Sequence, residues 1–398
     1  MQTFLRSLLQ QRQQAALYRT RQIHNSPQTP RLVINGRPYF AFCSNDYLGL
    51  ANHPRLKKAL QHGAETYAVG SGASHLVTGH TQAHHALEQE LAAYTGRERA
   101  LLFSTGYMAN LGVVTALLGR HDAVFLDKLC HASLVDAALL SRAHIHRYPH
   151  NDMPTLARLL AKSSAPHKLI ITDGVFSMDG DIAALPNIVQ LAKTYQAWVM
   201  VDDAHGLGVM GQTGRGSLEM YGLGEDEVPV LVGTLGKAFG VFGAFVAGSE
   251  LLIEALIQSA RSYIYTTALP PAVAAAARES LVVAEEEAWR RERLLALMTY
   301  FRAGATQQQL PLMDSLTPIQ PIVLGDSEKA LAASAALYKR GLIVTAIRPP
   351  TVPQGTARLR ITLSALHQEN HIDRLIEALV AVLVQRIDGF DGLVSTTD

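Results

Sequence analysis

Between about residues 51 and 280, short apolar runs alternate with longer segments that carry the helical period. The runs are ALLFS, DAVFLD, KLIITDG, AWVMVDDA, VPVLVGT and GAFVAGS. A strand that is apolar at every position, rather than at every second one, is covered on both faces. That predicts a largely parallel sheet flanked by helices. TQAHHALEQELAAYTG shows the helical period and stops at a glycine. The pattern then changes. ARESLVVAEEEAWRRERLLALMTYFRAG reads as one long helix, TPIQPIVLG, GLIVTAI and ARLRITLS as separated strands, and ENHIDRLIEALVAVLVQRI as a closing helix. The expected architecture is α/β in three parts: an N-terminal helix and short strand segment (1–50), a large domain (51–285), and a smaller C-terminal α+β domain (286–398).

The chain opens on MQTFLRSLLQQRQQAALYRTRQ, which predicts an amphipathic helix with Phe4, Leu5, Leu8 and Leu9 on one side. It lacks the apolar core and small-residue cleavage site of a secretory signal. A polar, proline-containing loop and a hairpin-like run, RLVINGRPYFAF, follow. Residues 100–119 form a stretch of bilayer length with no charge, ALLFSTGYMANLGVVTALLG. Ser104, Thr105, Gly106, Asn110 and Gly112 interrupt it, so a strand, a tight turn and a buried helix are expected instead of a membrane span.

Composition adds little beyond this. The chain has 398 residues, 48% of them hydrophobic and 17% charged, with a formal net charge of +1. That is long enough for two domains and gives no reason to expect nucleic acid or an anionic membrane as partner. The charged run from Glu285 to Arg293 mixes both signs and reads as a solvated helix face. Two cysteines, Cys43 and Cys130, make neither a disulfide framework nor a thiolate metal cage, so reduced thiols in a cytoplasmic protein are expected.

The sharpest chemical feature is VGTLGKAFG, residues 232–240, where an apolar strand runs into Thr234, Gly236 and Lys237. Burial is costly for lysine and lowers its pKa, which makes the amine a nucleophile toward a carbonyl. A lysine that snorkels to solvent or binds a phosphate as a point charge fits the same residues. A second apolar strand ends in Asp202 and Asp203, with His205 close behind. A strand-end acid is placed to pair with a protonated ring nitrogen, the partner that pyridoxal phosphate (PLP) needs for its pyridinium electron sink. Metal binding is the rival for an Asp and His this close, but no second ligand cluster has fitting spacing, and no metal is expected.

Gly206, Gly208 and Gly211 also satisfy G-x-G-x-x-G. A dinucleotide site needs that motif directly after a strand and opening a helix; here DDAH intervenes and more glycines follow. Ser104, Thr105, Gly106 and Tyr107 stand at a strand–helix junction that suits a phosphate. His131 either stacks on a cofactor ring or caps the following helix. Ser177 in TDGVFSMDGD is a cofactor contact or an ordinary turn residue. His84, His85, His144 and His146 read as structural.

In chain order, SNDYLGL, STGYMAN, DKLCHAS, TDGVFSMDGD, VDDAHGLGVMGQTGRG, TLGKAFG and ARLRITLSALH resemble the α-oxoamine synthase family of fold-type I PLP enzymes. The resemblance spans most of the chain. It implies a fold-type I PLP-transferase fold with Lys237 as the Schiff-base lysine and Asp202 as the ring-nitrogen partner. His205 and Ser177 are implied on the ring-hydroxyl side, His131 on the ring face, Gly106 and Tyr107 at the cofactor, and Thr234 near its phosphate. Thr266 and Thr267 resemble residues that reach a partner subunit's cofactor phosphate, which implies a homodimer. Arg360 is implied to take the amino-acid carboxylate, a task suited to a guanidinium fork, with Asn45, Thr351 and Arg19 as further substrate contacts.

The run TAIRPPTVPQGTARLRITLS is similar to the biotin-pathway branch of the family. It implies L-alanine and a pimeloyl thioester, carried by coenzyme A or acyl carrier protein, as substrates. Sister branches that use glycine, the glycine C-acetyltransferases and 5-aminolevulinate synthases, are the alternative. One departure stands out: His75 occupies a position where many members carry arginine, which bears on an acyl-carrier contact and not on cofactor chemistry.

Overall fold

The computed structural model describes residues 1–383. By its contacts the chain divides into two units, one of residues 1–47, 178–180 and 292–398, the other of residues 48–177 and 181–291. The N-terminal segment, expected to stand apart, clusters with the C-terminal part because its strands pair there.

In the first unit, α1 (Gln2–Gln14) contains Phe4, Leu5, Leu8 and Leu9, and none of its residues is buried. The hairpin is formed by β1 (Arg31–Ile34) and β2 (Arg37–Ala41). Asn35 and Gly36 sit between them with φ of 50° and 74°, the left-handed pair that an Asn-Gly hairpin turn requires.

The second unit contains Lys237 and the strand-end aspartates. In chain order it runs α2 (Pro54–Tyr67), a π-helical turn (His75–Gly79), α3 (Gln82–Thr95), β3 (Arg99–Phe103), α4 (Gly106–Leu117), β4 (Ala123–Asp127), α5 (Ala132–Ser141) and β5 (His144–Tyr148). There follow α6 (Met153–Lys162), β6 (Lys168–Asp173), α7 (Leu185–Tyr195), β7 (Trp198–Asp202), α8 (Ser217–Met220), β8 (Val230–Thr234) and β9 (Ala244–Gly248). Helices α9 (Glu250–Ser259), α10 (Arg261–Ile264) and α11 (Pro271–Glu286) complete it.

Seven strands form one sheet in the order β3-β9-β8-β7-β6-β4-β5. Strands β5, β4, β6, β7 and β8 are mutually parallel, and β9 runs antiparallel to both its neighbours. Strand residues alternate between two cores. Val124, Leu126, Leu169, Ile171, Met200, Val230 and Val232 join one core, while Phe125, Ile170, Val199, Val201 and Leu231 join the other. With a core on each face, consecutive interior positions of a central strand are apolar. The exception is β5, HIHRY, an edge strand mostly accessible to solvent. Its polar composition hid it from the hydrophobic pattern. The uncharged stretch at residues 100–119 resolves into β3, a turn and α4, and among the described residues no helix is long and apolar enough to cross a membrane.

The expected single helix after residue 277 is two. Helix α11 ends at Glu286, Glu287 leaves helical geometry (φ −100°, ψ 52°), and α12 (Trp289–Gln307) begins afresh. The cause is a buried polar knot. The Arg290 guanidinium donates to the Leu48 carbonyl at 2.9 Å and to Glu287 at 2.7 Å, and His53 Nε2 lies 3.3 Å from Glu287. Reading this charged run as a solvated face holds at exposed Glu285 and Glu286 and fails at Arg290, which is buried.

Back in the first unit, α12 continues into β10 (Ile319–Gly325), α13 (Ser327–Lys339), β11 (Leu342–Ile343), β12 (Thr345–Ile347), β13 (Ala357–Thr362) and α14 (Glu369–Leu383). The run GLIVTAI thus splits between two sheets. Strand β11 pairs in parallel with β2, and β12 with β13 in the antiparallel sheet β10-β13-β12. The end of the expected closing helix, residues 384–387, lies outside the described residues.

Candidate active site

Strands β4, β6, β7 and β8 end, side by side, in Asp127, Asp173, Asp202 and Thr234. The carboxyl edge of a parallel sheet is where ligands bind in open α/β folds. Every cofactor residue expected from sequence lies in this unit, and every expected substrate residue except His131 lies in the other.

Asp202 is buried, with 6% of its surface exposed. Its Oδ2 accepts a 2.7 Å hydrogen bond from Asn110 Nδ2, and its Oδ1 accepts from the Ala204 N–H at 3.1 Å. Asn110 is fully buried in α4 and also donates to Ser133 Oγ at 2.8 Å. Its Oδ1 has no hydrogen-bond partner among the described residues. Asn110 and Ser133 were missed in the sequence reading. The available signal was an asparagine inside a charge-free apolar helix, where an amide is costly to bury unless it holds something.

His131 is the N-cap of α5. Its Nδ1 accepts from the Ser133 N–H at 3.3 Å and lies 2.7 Å from Ser133 Oγ, and its own N–H donates to Asp173 at 2.9 Å. The cap engages one ring nitrogen and leaves the ring face and Nε2 for other work, so the two readings of this residue are compatible. Burial lowers its pKa; the charge of Asp202 opposes that shift and the charge of Lys237 adds to it. The neutral imidazole is the resulting form.

Lys237 is half-buried in the turn after β8, with its carbonyl accepting from the Gly240 N–H at 2.9 Å. The turn is fixed by Thr234, whose hydroxyl donates to the Gly243 carbonyl at 3.1 Å and accepts from the Gly236 N–H at 3.2 Å. Gly240 has φ +65°, and a Cβ there would lie 2.4 Å from the Ala51 nitrogen, so this position admits only glycine. The Lys237 charge is felt at His131, Asp173 and Asp203 alike. Burial pushes the Asp173 carboxyl well above its ordinary range, and Asp202 adds to the shift.

Asp203 points away from this edge into the glycine loop. It is fully buried, accepts from the Ser217 N–H at 2.7 Å, and has its pKa raised to about 7 by burial. Cβ atoms at Gly174, Gly206 and Gly216 would each stand 2.0–2.3 Å from its carboxylate oxygens. Of the three glycines that imitate a dinucleotide fingerprint, Gly206 serves this packing, while a Cβ at Gly208 would stand 2.6 Å from Ala238 Cβ and one at Gly211 2.2 Å from Glu219 Oε2. After Gly211 the chain turns until α8, a helix of four residues, and no dinucleotide-binding helix opens there.

Gly106 is the first residue of α4, capped by Thr105 Oγ1, which accepts from the Met108 N–H at 3.2 Å. A Cβ at Gly106 would meet nothing within 4 Å. Open space in front of a helix N-terminus is what a phosphate needs. Tyr107 donates to Asp136 of α5, which braces α4 against α5. His205 is buried behind Asp202, and Ser177 is half-buried in the loop after β6.

That loop is held by His150, whose Nδ1 lies 3.1 Å from Asp127 and whose Nε2 lies 2.6 Å from Asp181. Burial alone would lower the His150 pKa, but the two aspartates outweigh it and raise it to about 10. Thr266 and Thr267 lie between α10 and α11, beside a backbone bond from Ala268 to the Ala73 carbonyl at 3.0 Å.

In the other unit, Arg360 of β13 is buried and both its terminal nitrogens donate to Asn45 Oδ1 at 3.2 Å; Nη1 also reaches Thr362 Oγ1 at 3.0 Å. Tyr47 Oη donates to the same Asn45 oxygen at 3.3 Å, and burial raises its pKa to about 12. Arg19 and Thr351 flank a common residue: Arg348 donates to the Ala16 carbonyl, feels the charge of Arg19, and accepts the Thr351 N–H at 3.1 Å.

The residues present fit PLP on these observations: a carboxylate fixed by two donors at a strand end, a half-buried lysine whose charge reaches the same neighbours as that carboxylate, and open space at a helix N-terminus. Comparison with known proteins agrees. Residues 37–379 match the family described as aminotransferase class I and II. The 8-amino-7-oxononanoate synthase of Thioalkalivibrio sulfidiphilus is 59% identical over 376 residues, covering 94% of this chain and 96% of that protein. That of Methylococcus capsulatus is 62% identical over 368 residues, covering 92% and 95%. Among solved structures, a serine palmitoyltransferase from S. paucimobilis with a bound PLP–myriocin aldimine superposes with a TM-score of 0.91 at 32% identity, covering 97% of each chain. An 8-amino-7-oxononanoate synthase from Francisella tularensis gives 0.77 at 33% identity, covering 88% of this chain and 99% of that one. The chain therefore belongs to the 8-amino-7-oxononanoate synthase family of PLP-dependent acyltransferases, on the fold-type I aminotransferase scaffold.

Proposed function

We propose that this enzyme condenses L-alanine with a pimeloyl thioester, releasing carbon dioxide and the free carrier thiol and giving 8-amino-7-oxononanoate, a step of biotin biosynthesis. The observation that carries this reading is the identity of about 60% to synthases of that name over nearly the whole chain.

PLP, when bound, supplies the electron sink that lets the amino-acid α-carbon act as a nucleophile. Gly106, Tyr107, Ser177, His205 and Thr234 would hold it, and Asp202 would accept a hydrogen bond from its protonated ring nitrogen. Lys237 Nζ would hold the cofactor at rest; the same amine takes the α-proton from alanine and returns a proton to that carbon after carbon dioxide has left. A neutral His131 covers the ring face and excludes water from it. Arg360 receives the alanine carboxylate, and its contacts to Asn45 and Thr362 orient the fork. Arg19 and Thr351 serve the acyl substrate.

The working form is a cytoplasmic homodimer in which Thr266 and Thr267 serve the other subunit's cofactor phosphate. Support comes from Val69, Val77 and Tyr265, which are 82%, 73% and 72% exposed. They lie on two segments joined by the Ser71–Leu269 and Ala268–Ala73 hydrogen bonds. A grouped apolar surface of this kind marks an interaction face.

Thiol release from pimeloyl-CoA by the cofactor-loaded protein, with L-alanine or with glycine, tests the reading. Alanine-dependent release supports it. Release with glycine alone moves the enzyme to a sister activity, and silence with both overturns the acyl donor.

A further inference from the structure

His85 and Glu88 stand three positions apart on α3 and so share a face. His80 lies two residues before that helix, directly after the π-helical turn. These three side chains each offer a ligand atom, all within 4.8 Å of one another. Glu88 is mostly buried, and its orientation is fixed from the sheet, because Oε1 accepts the Leu102 N–H of β3 at 3.0 Å. Its other oxygen faces His80 Nε2 at 3.8 Å. That separation is too long for a hydrogen bond. It is close to the roughly 3.3 Å between two atoms that share a tetrahedral cation at bonds of about 2.0–2.1 Å.

The ring of His80 is also oriented from behind, since its Nδ1 lies 2.9 Å from Nδ1 of buried His75. With His80 as donor in that contact, Nε2 presents a lone pair toward Glu88. Metal-bound histidines are held in this way through the far nitrogen. A competing set of His75, His80 and His84 also clusters. His84 is committed elsewhere, because its Nδ1 accepts from the Thr81 N–H at 3.0 Å and its Nε2 lies 2.7 Å from the Leu269 carbonyl.

We propose that His80, His85 and Glu88 form a site for one divalent first-row transition cation of the Zn2+ type, with a fourth position open to solvent beside exposed His85. Two imidazoles and one carboxylate suit such a cation better than Mg2+ or Ca2+, which prefer all-oxygen shells. An occupied site ties the segment before α3 to the helix, and through Glu88 to β3. It is independent of the Lys237 chemistry, and its failure leaves that assignment untouched.

The test is calorimetric titration of the dialysed, cofactor-loaded enzyme with Zn2+, together with the visible absorption of added Co2+. One equivalent per chain and a four-coordinate Co2+ spectrum are expected. His85→Ala and Glu88→Gln should each weaken binding by at least about tenfold, and His75→Ala by a similar factor through the lost orientation of His80. His121→Ala, at an exposed histidine elsewhere, should change nothing. An unaltered cofactor absorbance shows that each variant is folded. Equal Zn2+ affinity in wild type, His85→Ala and Glu88→Gln, or no stoichiometric binding by wild type, overturns the proposal.

Discussion

Asn110 and Asp202 are joined by a 2.7 Å hydrogen bond between the middle of α4 and the end of β7. The amide donates to the carboxylate with one hydrogen, and its second hydrogen goes to Ser133 rather than to solvent. Asp202 therefore reaches the cofactor position already oriented, by a residue whose helix also starts at Gly106. The helix that starts at Gly106, the proposed phosphate seat, thus also orients Asp202, the proposed partner of the ring nitrogen.

Replacing Asn110 by aspartate keeps the size and removes the donor. A hydrogen bond to a charged group contributes about 1.5–3 kcal/mol. Cofactor affinity, measured by fluorescence titration of the apoenzyme, is expected to fall roughly ten- to a hundredfold. Unchanged affinity would mean that Asp202 is held by its own strand alone.

Lys237→Ala is expected to fold, since Thr234, Gly240 and Gly243 fix the turn around it by their own hydrogen bonds and close packing. Turnover should fall by at least about 1000-fold, because the group that moves the α-proton is gone. A variant with wild-type turnover would remove Lys237 from the mechanism.

What the sequence revealed follows from what burial does to composition. Strands β4, β6, β7 and β8 are covered on both faces, so they were legible as apolar runs ending in Asp127, Asp173, Asp202 and Thr234. Strand β5 lies at the sheet edge and carries HIHRY, so no hydrophobic signal marked it. The break at Glu287 was hidden because a helical period continues through it; only the distant Leu48 carbonyl and His53 explain it. Lys237, Asp202 and His205 stood out because charged groups at the ends of apolar strands are rare. Asn110, Ser133 and His150 did not, since their partners are 92, 23 and 31 or fewer positions away and pairing is a property of the fold. His85, read as structural from sequence, takes on the proposed ligand role only when the turn before α3 brings His80 beside it.

Arg360→Lys keeps the charge and loses the fork. The two 3.2 Å bonds to Asn45 show that both terminal nitrogens are oriented together, which an ammonium cannot reproduce. The KM for L-alanine is expected to rise roughly tenfold, with the KM for pimeloyl-CoA little changed. A rise in the acyl-substrate KM alone would reassign Arg360 to that substrate.

His150 makes the stability of the enzyme depend on pH in a definite direction. Its pKa is raised from 6.5 to about 10 by Asp127 and Asp181, against the opposing effect of burial. Below pH 6.5 the imidazole is charged in both folded and unfolded chains, and the stabilisation is fully present. As pH climbs from 6.5 toward 10, the unfolded chain releases its proton while the folded one keeps it, so the contribution declines and is lost above 10. His150→Gln removes this dependence while keeping a hydrogen-bonding side chain between the two aspartates. The difference in melting temperature between wild type and variant is expected to be largest near pH 6 and to shrink steadily up to pH 10. Because Asp181 follows the loop that bears Ser177, the variant should also bind cofactor more weakly at pH 7, and that deficit should grow less than the stability gap as pH falls. A melting difference that stays constant from pH 6 to 10 would show that His150 is held neutral, and that the loop is fixed by packing against Phe176 rather than by charge.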